Sequence, residues 1–406
     1  MASNGNGQYS NDVVILGAAR TPQGKLLGEL ANLSAVQLGQ YAVQAAVERS
    51  GVNPTDVNEV IIGQVLSAGA GQAVPRQIWI GAGFPETVGG ITVNKVCGSG
   101  LKAVMLGASA IRAGDGDVYV AGGTESMTNT PFLSLHQRTG HKYGNIELKD
   151  GILQDGLWCS IEGWVMGDAA EFIGDQFEVT REEMDEFAVR SHQLAHKATV
   201  EGYFEREIVP LEIQERRSTR VVKTDEPIRS DTSLEALAKL RPAFKPDGRV
   251  TAGNAPGLND GAAALVIASR HYSETHGHQP IARIVSYAHA AVEPKWIFYA
   301  PVKAIPLALQ KAGWTMDDVD LFEINEAFAA QVLADIRGLE REGYHLPLEK
   351  LNVHGGAIAL GHPLGASGAR VLVTLIHALQ QHGLKRGLAA LCLGGGEAVA
   401  MTVELE

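Results

Sequence analysis

Apolar positions along the chain fall in short runs closed by small residues. Val13-Val-Ile-Leu-Gly-Ala-Ala19 carries no polar position, which suits a buried strand rather than a half-exposed one. A helical stretch follows from about Ser34 to Ser50. Gly51-Val-Asn-Pro-Thr-Asp56 then reads as a helix stop and turn, leading into a second strand that ends at Gly63. Ile91 to Val96 is β-like, Leu101 to Arg112 helix-like, and Gly387 to Leu391 another buried-strand candidate.

This pattern returns. Pro306 to Ala312, Gly313, Asp318-Val and Leu321 to Asn325 repeat helix, glycine stop, Asp-Val and strand at an offset of 262, pairing Gly51 with Gly313, Asp56 with Asp318 and Gly63 with Asn325. Val118 to Met127 is echoed by Ala390 to Met401, which pairs Gly122 with Gly394. Ile281 to Ala288 echoes Val13 to Ala19. Three matches in one order predict two related α/β halves packed about a pseudo-twofold. Between them the texture changes to charged helical segments, such as the one opened by the capping box Thr180 to Glu183. The organisation expected is therefore residues 1–125 with 252–280 as one half, 126–251 as an inserted unit, and 281–406 as the second half.

Length and composition narrow the function class. The 406 residues exceed one ordinary core, and no apolar run approaches the length of a membrane span. Met1 to Asp12 read as a frayed start without signal character, so a cytoplasmic location is expected. A net charge of -12 argues against nucleic acid, although Arg216, Arg217, Arg220, Lys223 and Arg229 form a basic cluster suited either to solvent or to an anionic ligand head. Cys97, Cys159 and Cys392 are odd in number and lack metal-type spacing, so neither a disulfide framework nor a metal site is expected.

Cys97 lies between the β-like stretch and the helix-like run, where the positive end of a helix dipole favours a thiolate. Taken alone it is either a nucleophile or a small buried thiol. His362, in the glycine-dense run Gly355 to Gly368, and Cys392, ahead of Gly394-Gly395-Gly396, are individually ordinary core residues, and His354 is read as structural.

Together these residues carry more. Asn94-x-x-Cys97-x-Ser99-Gly100, Asn325-Glu326-Ala327-Phe328, Gly361-His362-Pro363 and Cys392-x-Gly394-Gly395-Gly396 resemble the motifs of the thiolase family, over essentially the whole chain. The resemblance implies a five-layer αβαβα fold of two five-stranded halves with an inserted loop domain. It implies coenzyme A thioesters as substrates, no permanently bound cofactor, and condensation of two acetyl-CoA to acetoacetyl-CoA and CoA through an acyl-Cys97 intermediate. His362 would activate Cys97, Cys392 would act as acid and base, and Asn325 would orient a water beside His362. The N–H groups of Cys97 and Gly394 would form a second oxyanion site. Leu157, Met166, Arg229, Ala252, Ala255, Leu258, Ala327 and Phe328 would lie along the coenzyme. The segment Pro131 to Gly151 resembles the loop that pairs dimers, implying a homotetramer.

Three positions depart from the short-chain members: Val165 and Pro256 replace a histidine and a serine, and Ile297 to Pro301 replaces a Met-Gly-x-Gly-Pro segment. They bear on acyl-chain length, so a 3-ketoacyl-CoA thiolase is the alternative. A β-ketoacyl synthase-type condensation ranks below it, since that chemistry usually relies on a second histidine rather than Cys392, and so does a non-catalytic acyl-CoA scaffold, since all four motifs are intact.

Overall fold

The fully apolar runs become strands of one sheet whose central members are covered on both faces. In the computed structural model, which describes residues 12–214 and 218–406, these are β1 (Val13–Arg20), β2 (Glu59–Gly63), β3 (Gly89–Val93), β4 (Val118–Ser126), β5 (Asn259–Ser269), β6 (Ala282–Ala291), β7 (Leu321–Ile324), β8 (Arg386–Leu393) and β9 (Glu397–Leu405). Met1 to Asn11, Arg216 and Arg217 lie outside the described residues. The strand order is β7-β8-β9-β6-β1-β5-β4-β2-β3, with Gly24–Lys25 as a short tenth strand on β5. Read outward from the β6/β1 junction, the two sides have the same order of pairings. β1 and β6 meet over only three residue pairs, Val13 to Ile15 against Ile284 to Ala282. Beyond β7, where the first half has β3, the second half has a single parallel bridge between Phe322 and Leu351. The first half thus contributes five strands to the path and the second four.

Helices complete the layers. α1 (Ala35–Ser50) and α2 (Val74–Gly81) cover the outer face of the first half, and α1 has a capping box from Ser34 and a left-handed stop at Gly51. α3 (Ser99–Ala113) and α8 (Leu364–His382) lie in the middle, packed on each other and on strands of both halves. α6 (Ala300–Ala312) and α7 (Ala329–Arg341) cover the second half, and α6 ends at left-handed Gly313, the counterpart of Gly51. α4 (Met166–Gln176) and α5 (Arg181–Val200), the latter opened by the capping box of Thr180 and Glu183, come from the chain between β4 and β5. Although that chain leaves and re-enters the first half, Ile173, Phe177 and Phe187 bury in one core with Phe298, Val302 and Ile324 of the second.

One internal match from the sequence does not survive in register. Ile62 lies opposite Gly122, and Ile324 opposite Ala390, so Ala390 rather than Gly394 is the counterpart of Gly122. The glycine echo joined a strand interior to a turn: Gly395 and Gly396 both take left-handed φ of 87° between β8 and β9, whereas Gly122 and Gly123 lie within β4.

Those strand glycines serve close packing. A Cβ on Gly123 would lie 2.0 Å from the Gly365 carbonyl oxygen, and one on Gly368 2.4 Å from the Leu101 amide nitrogen. No side-chain rotation relieves a backbone clash, so Gly123→Ala is expected to cost at least about 3 kcal/mol in urea unfolding, at or above the upper end for overpacking. Gly114→Ala, at a helix stop with φ 83° and open space around it, is expected to cost only about 1 kcal/mol.

Candidate active site

The two central helices begin where the chemistry-bearing motifs end. Cys97 immediately precedes Gly98, the N-cap of α3, and His362 precedes Pro363, the N-cap of α8. Cys392 is the penultimate residue of β8, and Asn325 follows β7, its amide still bonding to the Ala390 carbonyl at 3.0 Å. Cys97, His362, Cys392 and Gly394 line one cavity of about 200 Å³. Leu157, Met166, Ala255, Leu258, Ala327 and Phe328 line it too, with Val165, Pro256, Ile297 and Phe298. Arg229 and Ala252 are outside its wall, on exposed surface, where the Arg229 guanidinium donates to the Ala252 carbonyl at 3.3 Å.

The loop ahead of Cys97 is strained. Val96 takes a φ of 48°, a left-handed conformation that a β-branched residue adopts at a cost of about 1–3 kcal/mol. It is held there by side chains on either side: the Val96 amide donates to Asn94 Oδ1 at 3.0 Å, and Ser99 Oγ donates to the Val96 carbonyl at 2.6 Å while accepting from the Lys95 amide at 2.8 Å. Opposite, a Cβ on Gly394 would come within 3.0 Å of the Val96 side chain. Glycine there lets the β8–β9 turn close on the loop, and the Cys97 sulfur receives hydrogen bonds from the Gly394 N–H and its own.

Burial sets the protonation of the site. It pushes the Cys97 thiol up to about 12, outweighing the two N–H groups that pull it down, and the nearby Glu125 carboxylate adds to the rise. Burial of the sulfur thus works against the thiolate that the helix junction favours, although Cys97 as a residue is only partly buried. Burial also raises the Cys392 thiol well above the ordinary range, with contributions from Cys97 and from buried Asp335.

His362 is neutral. Burial lowers it to about 3, and the Arg370 guanidinium, paired with Glu323 at 3.6 Å, opposes the imidazolium further. Its tautomer follows from its partners. Ser367 Oγ donates to the Pro363 carbonyl at 2.9 Å and lies 2.6 Å from His362 Nδ1, so Nδ1 carries the proton and Nε2 keeps its lone pair. Asn325 Nδ2 stands 3.5 Å from Nε2, while Asn325 Oδ1 is buried with no partner. The His362 amide donates to Asn259 Oδ1 at 2.9 Å, a fit that left-handed Gly361 permits, since a Cβ there would strike the Asn259 amide group.

Ser367, Glu125, Glu326 and Val96 were not singled out from sequence. Glu326 is fully buried and accepts from Ser191 Oγ at 2.7 Å, Asn352 Nδ2 at 2.9 Å and the Ile358 amide at 3.1 Å, which joins α5 to the chain ahead of His362. Such partners are far apart in the chain, and only the position of Glu326 within its motif signalled them. Among the described residues no three His, Cys, Asp or Glu side chains are placed to share a metal ion, and no helix is long and apolar enough to cross a membrane.

Comparison with known proteins agrees with this geometry. Residues 13–271 match the family description "Thiolase, N-terminal domain" and residues 278–405 "Thiolase, C-terminal domain". The chain belongs to the thiolase family. This thiolase is 50% identical to the acetyl-CoA acetyltransferase of Cupriavidus necator, across 97% of this chain and 99% of that one. It is 48% identical to the acetyl-CoA acetyltransferase of Escherichia coli, across 96% and 98%. The crystal structure of the Bacillus anthracis acetyl-CoA acetyltransferase superposes with a TM-score of 0.94 at 45% identity, and the structure of that from Syntrophomonas wolfei with 0.96 at 42%; each comparison covers 98% of this thiolase and the whole of the other chain.

The buried histidines of this thiolase oppose acid stability. His192, whose Nδ1 accepts from the Arg229 amide, and His354, packed against Tyr203, are each lowered to about 4 by burial, and His362 to about 3. Below 6.5 the unfolded chain takes up protons at these rings that the folded chain refuses, so they subtract stability as pH drops toward 4, whereas Glu125 and Glu323, raised by burial to about 7 and 8, act with the opposite sign. The Tm difference between His362→Asn and wild type is therefore expected to shift in favour of the variant from pH 6.5 to 4.5. Equal slopes in calorimetry would remove His362 from the acid response.

Proposed function

We propose that this thiolase is an acetyl-CoA acetyltransferase in which Cys97 carries the acetyl group, His362 and Cys392 move protons, and Asn325 and Gly394 serve the oxyanions. The convergence of two thiols, partly buried Cys97 and buried Cys392, and a buried imidazole on one apolar cavity carries this reading. Its substrates are acetyl-CoA, acetoacetyl-CoA and CoA.

Cys97 attacks the thioester carbonyl as its proton passes to Nε2 of His362, the only ring nitrogen free to take it. A bond forms between the Cys97 sulfur and the carbonyl carbon, and the bond to the CoA sulfur breaks. Cys392 protonates the departing CoA thiolate and is left as a thiolate. Its burial makes it a strong base, suited to the weakly acidic α-carbon of a second acetyl-CoA. The resulting carbanion attacks the acetyl carbon, and Cys97 leaves and recovers its proton from His362. The N–H groups of Gly394 and Cys97 act on the Cys97 sulfur, which supports a role for them in holding an oxyanion that develops beside it, and Asn325 Oδ1, without a partner among the described residues, suits a water held near His362.

The same cavity gives a second reading. Leu153, Val165, Phe244, Ile297 and Phe298 leave its wall apolar, which also suits the longer chain of a 3-ketoacyl-CoA. Leu157, Met166, Ala255, Leu258, Ala327 and Phe328 support a pantetheine arm along that wall, and the exposed Arg229 beside Ala252 a charged end. In the segment Pro131 to Gly151, Phe132, Tyr143, Ile146 and Leu148 are exposed, Tyr143 almost fully at 97%, which supports contact between copies in a cytoplasmic homotetramer.

Incubation with labelled acetyl-CoA and peptide mass spectrometry should find the label on Cys97, and none in Cys97→Ser. In Cys392→Ser the label should persist while condensation falls by about 10²–10⁴-fold, the scale of acid–base catalysis. An unchanged condensation rate would remove Cys392 from this role. Thiolysis that quickens from four to ten carbons would select the longer-chain substrate.

A further inference from the structure

Glu125 lies at the end of β4, fully buried, and its carboxylate is spent on backbone amides from two separate segments. Oε2 accepts from the Val65 amide at 3.0 Å and from the Gly365 amide at 2.9 Å, and Oε1 from the Leu66 amide at 3.1 Å. The first segment leads toward Cys97: the Val65 carbonyl accepts from Asn94 Nδ2 at 3.5 Å, and Asn94 Oδ1 holds the Val96 amide. Val65 and Leu66 also share an apolar cluster with Cys97. The second leads to His362, since Gly365 lies in the first turn of α8, three residues on. A carboxylate here meets the positive end of that helix as well as three N–H donors, which offsets part of the cost of burying it.

Building on the assignment of Cys97 as nucleophile, we propose that Glu125 is a positioning residue for the reaction. It fixes the loops bearing Cys97 and His362 against each other. An unclamped loop would let the strained Val96 relax and carry the sulfur away from Nε2. The groups facing this arrangement are Asp260 on β5, beside Glu125, with His362 ahead of α8 and Cys392 on β8 across the cavity. Burial raises the Glu125 carboxyl to about 7, and the three N–H donors pull it back down.

The test uses the full chain with two substitutions, and reads kcat, KM and, by mass spectrometry, the cysteine that iodoacetamide alkylates and acetyl-CoA acetylates. Glu125→Gln puts an amide NH₂ against N–H donors, and Glu125→Asp keeps the carboxylate but cannot reach both segments. In each variant kcat is expected to fall at least tenfold with KM within threefold. Wild-type kcat in either variant would overturn the clamp, as would a KM that rises in step with the fall in kcat. If Glu125→Gln does not fold, Glu125→Asp decides. Alkylation or acetylation of a cysteine other than Cys97 in the wild type would instead refute the nucleophile assignment.

Discussion

Everything in the site depends on how closely α3 and α8 cross. Each helix begins next to a functional motif, so the distance between their first turns sets the distance between Cys97 and His362. Only hydrogen atoms stand where side chains would be: Gly100 abuts the Ala369 amide, Gly368 the Leu101 amide, and Gly365 the backbone of β2's end and of β4. A single methyl at these points would drive apart two elements that come from different halves. The sheet order then follows, because the strands beside each central helix must leave the same narrow gap. The cavity lies at the end of that gap.

The same enclosure governs reactivity. Two thiols and an imidazole in water would present a fraction of thiolate and a fraction of imidazolium at neutral pH. Here burial pushes all three toward their neutral forms, because charge is costly where hydration is lost. Neutral resting groups suit chemistry in which charge appears only as protons pass between neighbours and disappears by the end of the cycle. The fixed donors around the Cys97 sulfur then act on transient charge rather than on a standing anion. Arg370 and Glu125 reinforce this from behind, one against the imidazolium and the other against the thiolate.

Much of this was legible in the chain. The apolar runs at Val13, Val118 and Leu388 became central strands because burial on both faces leaves no room for polar alternation. Gly51 and Gly313 stop their helices in the left-handed conformation that their position implied. The joint spacing of Cys97, Asn325, His362 and Cys392 pointed to one cavity. Pairwise geometry across the chain was not legible. The echo of Gly122 in Gly394 failed because similar glycines serve a strand interior in one place and a turn in the other. Arg229 stands outside the cavity wall on exposed surface, a placement that a linear motif does not reveal. The burial that works against a thiolate at Cys97 depends on β8 and on the chain after β4, far away in sequence. Glu125 was invisible for the same reason, and Glu326 showed only as a member of its motif: their importance lies in which amides and side chains they meet.

The path of the inserted chain has a wider consequence. It departs from one half of the molecule and spends its apolar residues on the other, so Phe177 and Phe187 complete a core most of whose members, from Ala288 to Ala400, are encoded more than a hundred residues later. The two halves look like modules in the sheet, yet neither owns a finished interior. Synthesis must therefore release most of the polypeptide before any large unit can close, and exposed Phe and Ile side chains wait in the nascent chain for partners not yet made. The resemblance between the halves adds to the hazard, since each sheet edge offers a pairing surface that its twin, or the same edge of a neighbouring nascent chain, is shaped to accept.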